Sequence, residues 1–149
     1  MLLNKNKTLP EKINQTTNTQ WYIIDAKNKN LGRLSSQIAY ILRNKNNLKY
    51  MPYQISNTYI IIINSKHIKV TGNKAKQKTY KRHSGRPGGL KTETFENLQE
   101  KIPNRIIEHS IRGMLPKNSL GRKLFKRVKI YPNNQHPHSA QKPTNLNIK

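Results

Sequence analysis

Five consecutive apolar residues, YIIII at positions 59–63, form the longest apolar run of the chain and decide its fold class. A strand with one face in water alternates apolar and polar residues, whereas this run does not alternate. Continuous apolar strands are typical of the middle of a parallel sheet, where both faces are covered. The run therefore predicts a central strand with helices on both faces of its sheet.

The segment upstream of this run completes the pattern of a βαβ unit. Residues WYII at 21–24 are aromatic and β-branched, which predicts a short strand. After Asp25 and a polar turn, apolar residues recur at spacings of three and four, as on one face of a helix: Leu31, Leu34, Ile38, Ile41 and Leu42. The order of strand, turn, helix and strand indicates two parallel strands joined by a crossover helix.

Downstream, the alternation of strands and helices continues. Residues 68–70 and 128–131 predict two further short strands. Three residues suited to helix starts predict three more helices: Thr92, Pro103 and Ser119. The apolar side chains expected to face inward from them are Phe95, Leu98, Ile102, Ile106, Ile107, Ile111, Leu120, Leu124 and Phe125. Gly113 is expected to end the second of these helices.

Together these elements predict a protein of the α/β class. The expected architecture is a three-layer α/β/α domain with a small central, mostly parallel sheet, formed by residues 21–131. Polar segments without periodicity flank it at residues 1–20 and 132–149, and both are expected to be tails. Basic loops are expected to project from the domain.

The composition restricts the classes of protein to which the chain can belong. Its formal net charge is +23 and its apolar fraction is 33%, below the roughly 45–50% of ordinary globular domains. It has six carboxylates and no cysteine, so a disulfide framework and a thiolate zinc site are excluded. No apolar stretch approaches the ~20 residues of a membrane-spanning helix. The sequence therefore predicts a basic protein with a small core and no membrane partner.

A first basic segment, residues 73–91, concentrates positive charge without any carboxylate. Its cations are Lys74, Lys76, Lys78, Lys81, Arg82, Arg86 and Lys91. Tyr80 and His83 lie between them as flat side chains that can stack on bases or sugars. Glycines at 85, 88 and 89 are expected to break regular structure and to let the backbone approach phosphates. Like charge at this density repels itself, which indicates an anionic partner such as an RNA backbone.

A second basic segment, residues 112–129, also lacks carboxylates. Its cations are Arg112, Lys117, Arg122, Lys123, Lys126, Arg127 and Lys129. On a helix that begins near Ser119, Leu120 and Leu124 would face the core, and the charges at 122, 123, 126 and 127 would project outward. An ordinary exposed helix face mixes charges of both signs, so this face is predicted to bind RNA phosphates. Arg33, at the start of the first helix, completes the predicted RNA-binding set.

The sequence predicts no catalytic residue, no metal site, no cofactor and no small-molecule substrate. The phosphate-binding patterns GxxxxGK[ST] and GxGxxG do not occur. His136 and His138 are the only close histidine pair, but they are expected in an exposed tail without the further ligands that zinc needs. Asp25 is expected to form a turn. Four glutamates are expected on a solvated acidic helix face that points away from RNA: Glu93, Glu96 and Glu100 at helical spacing, and Glu108 on the next helix.

Five stretches of the chain resemble the universal large-subunit ribosomal protein L13 family in its bacterial and organellar form. They are WYIIDAKNKNLGRLSSQIA (21–39), YIIIINSKHIKVTGNK (59–74), YKRHSGRPGGLK (80–91), IRGMLPKNSLGRKLFKRVKIY (111–131) and HPHSAQKP (136–143). The resemblance implies an α/β/α fold with a parallel sheet. It also implies binding to large-subunit ribosomal RNA, early in assembly and beside other ribosomal proteins, without a cofactor or a catalytic activity.

The expected function is therefore that of a structural constituent of the large ribosomal subunit, and not that of an enzyme. Two alternatives stay open: a free regulator that binds messenger RNA, and an RNA-processing enzyme. The expected location is the ribosome. A plastid stroma is favoured, because Asn, Lys and Ile are abundant, as in AT-rich genomes, and no targeting peptide is visible. The cytoplasm of a bacterium is the alternative location.

Overall fold

The computed structural model describes residues 19–48 and 50–148. Six strands occur in these residues: β1 (Gln20–Asp25), β2 (Thr58–Ile63), β3 (Thr79–His83), β4 (Leu90–Thr94), β5 (Val128–Ile130) and β6 (Thr144–Asn145). The α-helices are α1 (Leu31–Leu42), α2 (Lys74–Gln77), α3 (Phe95–Lys101), α4 (Pro103–Met114) and α5 (Ser119–Phe125). Two short 3-10 helices lie at Ser65–His67 and Ser139–Gln141.

A four-stranded sheet with the order β5-β2-β1-β6 forms the centre of the fold, and its paired strands are all parallel. Strand β2 lies between two neighbours, as its continuous apolar sequence predicted. Strands β3 and β4 form a separate antiparallel pair. The α/β class with a mostly parallel sheet is confirmed.

The two faces of β2 are both covered, but by different structures. Ile60 and Ile62 belong to the main core, which includes Leu34 and Ile38 of α1 and Ile107 of α4. Helices α1 and α4 also pack on each other. The predicted periodicity of α1 is confirmed, because its residues at 31, 34, 38 and 42 are buried and Ile41 is half-buried against the core. This apolar layer fixes the position of α4, which carries part of the functional surface.

Aromatic side chains lie on the second face of the sheet. Trp21 of β1 stacks on Tyr59 of β2, with ring centroids 4.4 Å apart and planes 12° apart. His138, which precedes the 3-10 helix Ser139–Gln141, lies 5.3 Å from the Trp21 ring. Tyr131 holds the imidazole through a 2.8 Å hydrogen bond between its hydroxyl and Nε2 of His138. The layer on this face is therefore built from aromatic rings and the segment that follows β5.

Part of the segment 132–149, set apart in the sequence as a polar tail, is integrated into the fold. Strand β6 pairs with Tyr22 and Ile23 of β1, and Ile148 is buried in the core. Leu146 and Ile148 are isolated apolar residues among polar ones and give no periodicity. The sequence therefore does not predict that this segment pairs with the sheet. Residues 1–18 of the predicted N-terminal tail lie outside the described residues, while Gln20 already belongs to β1.

The predicted strand at 68–70 is wrong. Lys69 forms only an isolated bridge with Asn30. The bridge uses the N–H and the carbonyl of Lys69, which bond to Lys29 and Leu31. It does not lengthen into a ladder, because α1 begins at Leu31, directly after Asn30.

The predicted helix boundaries need three corrections. Thr92 lies within β4, and the cap of α3 is Thr94, whose hydroxyl accepts a hydrogen bond from the Asn97 N–H. Ile102 does not face inward but is 47% exposed, because it is the junction between α3 and α4. Helix α4 begins at Pro103 as predicted, but it continues past Gly113 to Met114.

The cap of α5 yields a direct test of these boundaries. Asn118, and not Ser119, caps the helix: its Oδ1 accepts a 2.9 Å hydrogen bond from the N–H of Gly121. We expect Asn118→Ala to lower the free energy of unfolding by about 1 kcal/mol, because it leaves a helix N–H without this acceptor. Ser119→Ala is the matched control and should cost much less. Urea denaturation of both variants measures the difference, and equal losses would contradict the assignment of the cap.

Candidate nucleic-acid interface

The first basic segment forms a helical turn and a β-hairpin, which corrects the prediction of a loop. Helix α2 leads into β3, and β3 pairs with β4 in antiparallel register. Irregular structure is confined to the tip, where Gly85 and Gly88 have φ angles of +90° and +71°. Residues other than glycine rarely adopt these φ angles. The glycines therefore permit the tight turn and do not interrupt the strands. The cations of this segment are therefore displayed on a defined hairpin.

All seven predicted cations of the first basic segment are exposed in the structure: Lys74, Lys76, Lys78, Lys81, Arg82, Arg86 and Lys91. Within residues 19–48 and 50–148, none of them lies within 4.0 Å of a carboxylate. Arg82 is moreover the register partner of Lys91 across the hairpin. Like charges directly opposite each other destabilise a strand pair. A bound anion between or beside them would remove this penalty.

The two flat side chains of this segment differ in their surroundings. Tyr80 is half-buried, and its ring meets the ring of His109 edge-on at 5.5 Å. Burial raises the pKa of the Tyr80 hydroxyl above its usual value. His83 is exposed, and its Nδ1 accepts a 2.9 Å hydrogen bond from the N–H of Gly85, which braces the hairpin tip. That His83 and Tyr80 stack on bases stays a prediction.

Helix α5 carries the centre of the second basic segment. Leu124 is buried and Leu120 half-buried, as the spacing predicted, while Arg122, Lys123 and Lys126 are exposed. Gly121 is buried because α5 packs closely on the chain at Pro116. A Cβ at position 121 would overlap the Pro116 carbonyl oxygen and lie 2.8 Å from its carbonyl carbon. Because Gly121 has no side chain, α5 can pack against Pro116 and display its cations from there.

Other cations of the second basic segment are arranged differently from the prediction. Helix α5 ends at Phe125, so Arg127 does not project from it but precedes β5 and is half-buried. Its guanidinium lies 5.4 Å from the ring centroid of Tyr59, on the aromatic face of the sheet. The guanidinium of Arg112 lies 4.6 Å from the Phe125 ring centroid. Lys117 is exposed, and Lys129 is half-buried in β5.

Arg33 lies apart from this arrangement at the start of α1. Its side chain is exposed, and no hydrogen bond or ion pair in the described part of the chain joins it to either basic segment. Its predicted contact with RNA stays a prediction.

A cleft of about 550 Å³ joins the two basic segments. Lys81, Arg82 and Lys91 of the hairpin line one side, and Arg112 of the second segment lines the other. Helix α4 contributes one face to the cleft, with residues at spacings of three and four: Arg105, Glu108, His109 and Arg112. Of these four residues only Arg112 was predicted to bind RNA, and Glu108 was expected to point away from it. The helical spacing of the other three with Arg112 was the available signal.

The glutamates do not form the predicted acidic helix face. Glu93 lies in β4, opposite Tyr80, and lines the cleft instead of continuing the row of Glu96 and Glu100 on α3. Its Oε1 lies 3.9 Å from the Nζ of Lys101, the one ion pair found among the described residues. The interface is therefore strongly cationic, with two carboxylates inside the cleft, one from Glu93 and one from Glu108.

The remaining candidate side chains have structural partners. Oδ1 of Asp25 accepts hydrogen bonds of 2.9 Å from the Lys27 N–H and from Nδ2 of Asn64, which agrees with its predicted turn role. His136 and His138 are half-buried, and not in an exposed tail as predicted. Burial, followed by the charges of Lys129 and His136, lowers the pKa of His138.

Residues 19–48 and 50–148 contain no group of three or more side chains of His, Cys, Asp or Glu placed to hold a metal ion. Across the same ranges, the helices are too short or too polar to cross a membrane.

Comparison with known proteins shows the family of the chain. The family model described as Ribosomal protein L13 matches residues 19–137. The chain is 58% identical to the large ribosomal subunit protein uL13c of Pyropia yezoensis, over 93% of this chain and 96% of the relative. It is 59% identical to uL13c of Gracilaria tenuistipitata var. liui, over 95% and 96% of the two chains. It is 56% identical to uL13 of Acaryochloris marina, over 89% and 88%. The matched range contains both basic segments and strands β1 to β5, and the chain belongs to the ribosomal protein L13 family.

Proposed function

We propose that this protein is a structural constituent of the large ribosomal subunit that binds large-subunit ribosomal RNA through its two basic segments. The observation that carries the proposal is the set of exposed cations on the hairpin, none of which has a carboxylate partner among the described residues. Membership of the L13 family supports the ribosomal assignment. The RNA phosphates would neutralise a surface that otherwise repels itself.

The fold suits this role because it separates a rigid scaffold from the charged surface. The parallel sheet and helices α1 and α4 enclose the apolar core. The hairpin β3–β4 has no fully buried residue, and helix α5 turns Leu124 to the core while its cations are exposed. Arginine and lysine on such projecting elements reach phosphates, and arginine binds them with two parallel hydrogen bonds. Binding would hold RNA segments in a fixed relation, which is how the protein would support early subunit assembly.

The ribosome of a plastid is the proposed location, beside other proteins of the large subunit. Relatives from red algae with the name uL13c match the chain at 58% and 59% identity. Cyanobacterial relatives named uL13 match at 56% and 57%. This pattern agrees with an organelle of cyanobacterial descent and with the AT-type composition of the chain.

Salt dependence tests the proposed mode of binding. If about seven phosphates are neutralised, the logarithm of the association constant should fall with the logarithm of salt concentration with a slope of about −6. Filter binding of the full chain to large-subunit ribosomal RNA over a salt series measures this slope. Small-subunit ribosomal RNA is the control and should lose its binding at lower salt. A nearly flat salt response would contradict the proposal.

A further inference from the structure

We infer that the cleft between the hairpin β3–β4 and helix α4 binds one unpaired guanine nucleotide of the RNA, recognised by the Glu108 carboxylate. This inference rests on the proposed RNA-binding function and adds a base-specific site to it. A surface that only neutralised phosphates would gain nothing from a carboxylate in its cleft.

The size of the cleft suits a nucleotide. Its volume of about 550 Å³ lies within the roughly 300–1,000 Å³ of ordinary small-ligand sites. Its walls come from regular elements and not from loops: the strand pair, the first three turns of α4, and Leu98 of α3. A single base with its sugar and phosphate fits a site of this size, whereas a base-paired RNA helix does not.

Glu108 carries an uncommitted carboxylate in cationic surroundings. Arg105 precedes it by three residues and Arg112 follows it by four, which are the spacings of helical ion pairs. Within the described residues, however, neither guanidinium lies within 4.0 Å of the Glu108 carboxylate. Arg112 lies over the Phe125 ring instead. Both oxygens of Glu108 are therefore available as hydrogen-bond acceptors.

Guanine is the base whose edge matches such a carboxylate. An ionised carboxylate only accepts hydrogen bonds, and it offers two oxygens side by side. The Watson–Crick edge of guanine presents two adjacent donors, N1–H and the N2 amino group. Adenine, cytosine and uracil have no two adjacent donors on the same edge, so a pairing with both carboxylate oxygens would place an acceptor against one of them and repel it. Unpaired bases in RNA are commonly recognised on this edge.

Other groups of the cleft complete the site. The His109 ring is exposed and can stack on a base, while its position is fixed by the edge-on contact with Tyr80. The Tyr80 side chain also lines the cleft, and its buried hydroxyl has no hydrogen-bond partner among the described residues. Arg82 and Lys91 on the hairpin side are available for the phosphate. The cleft thus combines a ring that can stack on the base, a carboxylate that can bind its Watson–Crick edge, and cations that can bind its phosphate.

The test compares short uridine oligoribonucleotides that carry a single central guanosine, inosine or adenosine. Fluorescence anisotropy measures their binding to the full chain at low salt. We expect the guanosine oligomer to bind about tenfold more tightly than the adenosine oligomer, the discrimination of one good bidentate pair. The inosine oligomer, which lacks the N2 amino group, should fall between them. Glu108→Gln should abolish the preference, because its amide NH₂ would face a guanine donor.

The matched control is Glu96→Gln, which removes the same charge from the exposed face of α3, outside the cleft. It should raise the affinity for all three oligomers slightly and leave the guanosine preference intact. Equal binding of the three oligomers by the unmodified chain would overturn the inference. A uniform gain in affinity on Glu108→Gln, like that of the control, would also overturn it. Neither result would affect the proposed function, which fails only if large-subunit ribosomal RNA is not bound.

Discussion

Replacing four cations of the hairpin segment with glutamine should lower the affinity of the full chain for large-subunit ribosomal RNA by about a thousandfold at physiological salt. The positions are Lys78, Lys81, Arg82 and Arg86, all exposed in the structure. Each phosphate contact releases a condensed counterion, and at this salt each release contributes somewhat less than one decade of affinity. The salt slope should become shallower by about 3 to 4.

The matched control removes the same charge from elsewhere on the surface. Lys27, Lys45, Lys66 and Lys69 are exposed and lie outside both basic segments. Their joint replacement with glutamine should weaken binding far less, because only long-range attraction is lost. Filter binding of both variants over a salt series makes the comparison. Equal losses would mean that net charge, and not the hairpin, determines binding.

Gly121→Ala should destabilise the fold by about 3 kcal/mol, at the upper end of ordinary overpacking costs. The added Cβ would overlap the carbonyl oxygen of Pro116, a backbone atom that cannot rotate away as a side chain can. Helix α5 would have to move outward, and its exposed cations at 122, 123 and 126 would move with it. We therefore expect a weaker affinity for ribosomal RNA as well, at salt and temperature where the variant is folded.

Gly113→Ala is the control for this substitution. Gly113 lies in α4, and an added Cβ would have no heavy atom within 4 Å. Alanine is a better helix former than glycine by about 1 kcal/mol, so this variant should be slightly more stable than the unmodified chain. Urea denaturation measures both effects. A Gly121→Ala variant as stable as the Gly113→Ala variant would contradict the close packing of α5.

The strands and helices that were predictable from sequence are those whose own apolar pattern shows which of their faces are buried. The uninterrupted apolar run at 59–63 indicated a strand covered on both faces, and β2 has this position. The helical spacing in α1 gave its bounds, and Pro103 gave the start of α4. The hairpin β3–β4 was missed because its side chains are mostly exposed and charged, so no apolar alternation marks it. Its strands pair through the backbone, glycines permit the turn at its tip, and Tyr80 packs it against the core.

The candidate site also has a part that was predictable from sequence and a part that was not. The cations are visible in the sequence, since a dense run without carboxylates needs no structure to be recognised. The cleft is a tertiary feature, because it arises where the hairpin folds against one face of α4. Glu108 and His109 gained their significance only from this contact. Arg127 was predicted to project from α5, but the helix ends two residues before it. Its guanidinium lies near the Tyr59 ring instead.

Lysine reactivity in the native particle tests the central claim most directly. Amine acetylation followed by mass spectrometry compares each lysine in intact large subunits with the same lysine in the free chain. If RNA covers both basic segments, Lys81, Lys91, Lys123 and Lys126, which are exposed in the isolated fold, should react much more slowly in the particle. Reaction at the same rate in the particle and in the free chain, for both segments, would show that they face solvent and would contradict the account.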